Sequence, residues 1–232
     1  GKGLGAAAVE AEDPTNTFMG NPRGLALVSS GANNFLVYAD QQASTAVNQN
    51  CQIRALNLTP DVNNPPAGSL LGTSIPAFKI STVVGDYALG CNPAGAAPAN
   101  TSLGSGTNTK LYNTEGIASD GTNLFHASFN DHCILKTAAN GATTVAVGTC
   151  GTAGTTALIR FPTAIVVDPN YAADGNFFFA DAPDLNPTRI RYVNFRNTSV
   201  TVGNFTIPAA SPPFAQVTTL WSIALGNGAR VY

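Results

Sequence analysis

Apolar residues along this chain fall into short runs separated by clusters of Gly, Asn, Asp and Ser. Gly24-Leu25-Ala26-Leu27-Val28 is followed, past a polar turn, by Phe35-Leu36-Val37-Tyr38-Ala39. Runs this short, bounded by turn residues, predict strands; amphipathic helices need longer stretches with a 3.6-residue period. The first two runs of each group are almost continuously apolar, as in strands buried on both faces. The next two alternate more, which predicts outer strands with one wet face. Asn140-Gly141 between two such runs predicts a two-residue hairpin.

The groups repeat. Asn21 to Leu27, Phe35 to Asp40, Cys51 to Leu56 and Ile80 to Gly85 align with Asn113 to Asp120, Asn123 to Ser128, Cys133 to Lys136 and Ala142 to Gly148. A third copy runs through Phe161 to Asp168, Gly175 to Asp181, Thr188 to Val193 and Ala215 to Leu220. Residues 57–78 and 195–213 then read as inserts between the third and fourth strands. A repeat of four antiparallel strands, with the inner ones most apolar, describes a β-propeller blade. The fold class expected is therefore all-β, with about three complete blades and a partial fourth. The expected division is a linker at 1–20, blades at 21–85, 112–148 and 161–220, loops at 86–111 and 149–160, and the start of a further blade at 221–232. Three blades and part of a fourth do not close a ring of the usual four to eight. Unpaired faces would expose apolar patches, to be covered by the remainder of a longer chain or by a homo-oligomer.

The pattern Pro-x-Gly-Ile-Ala-x-Asp, Gly-Asn-x-Tyr-x-Ala-Asp, Arg-Ile-Arg, Thr-Thr-Val-Ala-Gly resembles the NHL repeat, over roughly residues 20–232. The third copy matches best; the second departs at Ser128, where the family has Asp. Gly3 to Glu12 resembles the Gly- and Ala-rich linker that precedes such blades. The resemblance implies a fold and leaves the function open, because propellers host many. NHL-type propellers include a zinc-dependent amidating lyase and RNA-binding members.

Composition narrows the choice. Only 10% of residues are charged and the net charge is −2, with no run of Lys or Arg. That argues against nucleic acid as a partner. No apolar stretch approaches the length of a membrane-spanning helix, so no membrane insertion is expected. Residues 1–10 lack the basic and apolar regions of a signal peptide. The four cysteines lack the spacing of a zinc site. Cys51 and Cys133 both open a third strand, and Cys91 and Cys150 both lie just past a fourth. A hairpin centred on Asn140-Gly141 puts Cys133 opposite Gly148, near Cys150. Cys51–Cys91 and Cys133–Cys150 are the disulfides expected. Such bridges belong to the cell surface, the periplasm or the extracellular space.

Both bridges would staple loops on one end of the blades, together with residues 86–110. Loops held this way form a binding surface. The contact candidates are Tyr87, Phe129, Asn130, Asp131 and His132, for a protein or glycan ligand. Residues 41–50 and 182–187 lie at the same end. In this reading no residue is catalytic and no cofactor is needed. The alternative is a metal-dependent lyase or hydrolase in the central channel. It would use zinc or calcium and would require His126, His132 or inward-facing acids to converge. His126 replaces the aromatic of Tyr38 and Phe179, which predicts core packing. Asp40 and Asp181 end second strands in Ala-Asp, which predicts that they hold the following turn and pair with Arg54 or Arg189. Asp168 and Asp174 flank a Gly-Asn turn, and Trp221 is expected to start a buried strand. Sequons at Asn57, Asn100, Asn197 and Asn204 matter only where the source glycosylates.

Overall fold

In the computed structural model, the residues described are 11–17, 19–41, 50–59, 68–85, 106–109, 111, 113–150, 159–168, 176–181, 189–194, 201–204, 225–226 and 230–231. Three four-stranded antiparallel sheets dominate. The first contains β1 (Arg23–Ser30), β2 (Asn33–Gln41), β3 (Asn50–Asn57) and β6 (Ile80–Val84), with a small hairpin, β4 (Gly68–Leu70) and β5 (Thr73–Ile75), between β3 and β6. The second is β7 (Thr114–Ser119), β8 (Leu124–Ser128), β9 (Cys133–Thr137) and β10 (Thr143–Gly148). The third is β11 (Pro162–Val167), β12 (Asn176–Asp181), β13 (Arg189–Asn194) and β14 (Thr201–Asn204). A two-stranded piece follows, β15 (Leu225–Gly226) and β16 (Arg230–Val231).

The sheets stack through their first strands, with β7 against β1 and β11 against β7. This is the arrangement of propeller blades around an axis, and the chain folds as three blades with part of a fourth. Period-2 alternation fills the interfaces. Ile117, Leu124 and Leu135 pack toward the first blade with Val37, Ile53 and Ala55. Phe125, Ala127 and Ile134 pack toward the third with Ile165, Phe177 and Phe179. The Phe125 and Phe177 rings lie 5.3 Å apart, centroid to centroid. The repeated small residue of the first strand explains how the strands come so close. A Cβ on Gly116 would sit 2.7 Å from both the Ala164 Cα and the Thr163 carbonyl. Gly24 abuts the Glu115 carbonyl in the same way. The register of β1, β7 and β11 slips at this point in all three blades, so the bulge and the small residue travel together.

Several expectations are corrected. The β9–β10 hairpin closes with Ala138 N–H on the Ala142 carbonyl at 2.9 Å, leaving a three-residue loop with Gly141 at φ 85°. A slip between Val145 and Val147 then returns Gly148 to a place opposite Cys133. The fourth strand of the third blade is β14, inside the stretch read as an insert. The short connection places a β-branched pair, Thr201-Val202, beside β13 at less loop-closure cost than a long excursion; residues 215–220 and Trp221 lie outside those described. β6 is buried along its whole length, because residue 12 bridges to Ile80 on its outer edge. β1 is the reverse: Leu25 and Leu27 are each 66% exposed, whereas Ile117 and Ile165, the counterparts of Leu25 in the next two blades, are 4% and 6% exposed. Each counterpart faces a preceding blade, and among the described residues β1 has none.

Candidate functional site

Each blade has a corner where the second strand turns into the third beside the chain entering the first. The third blade builds it from the repeat motif. Asp181 ends β12 and is 1% exposed. Its Oδ1 accepts the Arg160 backbone N–H at 2.6 Å, and its Oδ2 pairs with Arg191 at 2.9 Å. Arg191 is an ion-pair partner of Asp181: it lies one row along the same face of β13 from Arg189, with its guanidinium 5.9 Å from the Phe179 ring centroid. The side chain of Arg189, the expected partner, lies outside those described. In the first blade Asp40 likewise accepts the Gly20 N–H at 2.9 Å. Buried Arg54, in the row of Arg191, lies 3.9 Å from Glu12.

The second blade breaks this pattern twice. Ser128 stands in the aspartate's row and Leu135 in the arginine's. Acid and cation are lost together, so neither charge is left buried alone. An acid returns three residues later, where Asp131 accepts the Ser128 hydroxyl at 2.8 Å. Asp131 is buried, and burial pushes its carboxyl up to about 6, with the Ser128 hydrogen bond acting against the rise. His132 follows, at φ 57°. Its Nδ1 accepts the Phe161 backbone N–H at 3.3 Å, which places the ring proton on Nε2. Burial, then the nearby Arg160, holds this imidazole below its usual range, and Asp181 opposes the shift. Phe161, at φ 51°, meets His132 edge-on at 4.5 Å and Phe129 at 5.0 Å, centroid to centroid. The Arg160 guanidinium lies 5.8 Å from the Phe161 ring centroid. Two non-glycine residues in left-handed backbone thus hold one another across the joint between second and third blades, a cost that persists only when neighbouring structure fixes it.

Cys133 and Cys150 form the disulfide that pins this corner, with Cα atoms 5.1 Å apart. Cys51 is also disulfide-bonded; Cys91, its expected partner, lies outside the described residues, as does Tyr87. Of the contact candidates, Phe129 and Asn130 are half-buried, while Asp131 and His132 are buried. The latter two shape the loop from beneath, because their polar atoms find partners inward, on Ser128 and Phe161. The structure adds Arg160 and Phe161, which the sequence reading assigned to a loop and a strand start. Their only signal was their position just ahead of Pro162.

The histidines do not converge. His126 is fully buried on β8, with Nε2 3.1 Å from the Thr137 hydroxyl. Burial drives its pKa down to about 3, so it is neutral. Thr137 continues to Thr143 at 2.9 Å and Thr143 to Thr109 at 3.3 Å, an interior polar chain. Among the described residues no three His, Cys, Asp or Glu side chains gather as metal ligands, and no helix is long and apolar enough to cross a membrane.

No family model matches the chain, and no curated protein matches it. Among solved structures it is similar to a chain in the crystal structure of a nidogen/laminin complex, at 16% identity and a TM-score of 0.45. The match covers 79% of this chain and 48% of that one, so this chain spans about half the length of its neighbour. The propeller assignment rests on the order and stacking of the three sheets.

Proposed function

We propose that the chain is a protein-binding propeller module of the NHL-like kind that works outside the cytoplasm, with the corner of the second blade as its contact surface. The observation that carries this reading is the joint itself. A disulfide, two residues in left-handed backbone and a ring cluster fix one irregular loop while leaving Phe129, Asn130, Arg160 and Phe161 partly open. Aromatic and arginine side chains held rigid beforehand make good interface anchors, since little side-chain freedom is lost on binding. The Cys133–Cys150 bridge supports an oxidising compartment. Asp131 and His132 act here as positioning residues.

The test places a photo-crosslinking phenylalanine at Phe129 and, as a control, at Phe78, which is 51% exposed. Both proteins are irradiated with the secreted and cell-surface fractions of the source. The expected result is a discrete protein adduct at 129 only, competed away by unlabelled wild-type chain and not by the Phe161→Ala variant. Equal labelling at both positions, or none at 129, contradicts the proposal.

A further inference from the structure

The opposite end of the blades carries a separate cleft, of about 320 Å³. It lies between the first and second blades, where the β1–β2 and β7–β8 turns project side by side. The β4–β5 hairpin walls it. This hairpin is an addition to the first blade; the corresponding link in the second is the three-residue loop around Asn140.

The wall is firmly seated. Ile75 is fully buried, and Leu70 and Leu71 are 4% and 5% exposed. The Asn57 side-chain amide donates to the Ile75 carbonyl at 2.9 Å. A Cβ on Gly68 would come within 2.6 Å of the Phe35 ring. At the tip, a Cβ on Gly72 would lie 3.4 Å from the Asn140 carbonyl, so the hairpin reaches across to the second blade. The wall of the cleft is thus held by backbone packing of the hairpin against both blades.

Its chemistry is uniform. Val28, Leu70 and Leu124, all buried, lie along its base, and the hydroxyl-bearing residues Ser30, Ser69 and Thr122 line it. Among the described residues, no Asp, Glu, Lys or Arg lines the cleft. Gly31 and Gly121, with φ of 59° and 89°, have open space where a Cβ would project, which keeps the mouth wide. A charged ligand would lose hydration here and gain no counter-charge. A purely apolar one would cover hydroxyls and leave them unpaired. A ligand with an apolar face and a rim of neutral hydroxyls satisfies both parts. The volume lies at the small end of the range for small-molecule sites, roughly 300–1,000 Å³.

The geometry points to this cleft as a binding site for a small neutral saccharide, a mono- or disaccharide unit, distinct from the protein-binding corner at the other end of the blades. The test titrates the isotope-labelled full chain with glucose, galactose, mannose, N-acetylglucosamine and their disaccharides at millimolar concentration, followed by backbone amide shifts. Saturable shifts are expected at Gly31, Ser69, Thr122 and Asn123, with none at Phe129 to His132. Ser69→Phe, which fills the cleft from an exposed position on β4, should abolish them while leaving the melting temperature and the Cys133–Cys150 bridge intact. Glucuronate and glucose-6-phosphate should shift the same amides at least tenfold less at equal concentration. Absence of shifts for every sugar, shifts scattered over the surface, or binding undiminished by Ser69→Phe overturns the inference. The cross-linking at Phe129 does not depend on this cleft, so the two readings fail separately.

Discussion

The corners of the second and third blades occupy the same place in the repeat and solve the same problem in opposite ways. In the third, a buried aspartate meets an arginine and a backbone N–H, so the charges of Asp181 and Arg191 answer each other. In the second, the acid–arginine pair is replaced by Ser128 and Leu135, and an acid three residues away is buried against a hydroxyl. This irregular corner frees the loop to bring Phe129 and His132 onto Phe161 of the next blade. On the function proposed above, departure from the repeat marks the surface available for binding.

The largest break in this comparison should come from Asp181→Ala. It strands the mostly buried Arg191 and should cost about 3–5 kcal/mol, as loss of one partner of a buried pair does. Adding Arg191→Leu, which copies the second blade's solution, should restore a large part of that loss in urea titrations. Full stability of the single variant would show the charged corner to be ornamental. Next comes the bridge. Cys133→Ala/Cys150→Ala releases a link between residues 17 apart and should lower stability by about 3 kcal/mol, read as a fall in denaturation midpoint measured without reductant, so that the bridge at Cys51 stays closed. Gly116→Ala should follow at roughly 1–3 kcal/mol, because the new methyl meets β11 backbone. Gly121→Ala meets only open space and should cost less, about 1 kcal/mol for its left-handed backbone. Reversal of that order would mean that the blades do not stack through their first strands.

The last effect is a pH dependence. Asp131 has its pKa raised in the folded chain, so folding retains a proton that the unfolded chain releases near the ordinary carboxyl value of about 4. Its contribution to stability is fully present below that value and is lost as the pH rises to about 6. Asp131→Asn should flatten the melting temperature between those limits relative to wild type. Unchanged slopes in the two proteins would place the acid in solvent.

The blades were legible because strand character depends on local alternation, and the copies reinforce one another. The coupled loss of Asp and Arg in the second blade was also present in the sequence, at rows 40/54, 128/135 and 181/191. Other features depended on tertiary context. Asn140-Gly141 suits a two-residue turn and equally a three-residue loop with glycine in the left-handed position; only pairing across the sheet decides. β14 is four residues long and weakly apolar, so the stronger run at 215–220 drew the assignment away from it. Asp131 and His132 looked like exposed loop residues. The histidine is buried in a contact with Phe161, 29 positions away, which no local pattern encodes.

Carbon-13 titration of the Asp131 carboxyl in the intact, disulfide-bonded chain tests the account most directly. A midpoint near 6 is predicted, as burial beneath the rebuilt corner requires. A midpoint near 4 would mean a solvated carboxylate and an open loop, and would contradict the reading of this corner as a preformed surface.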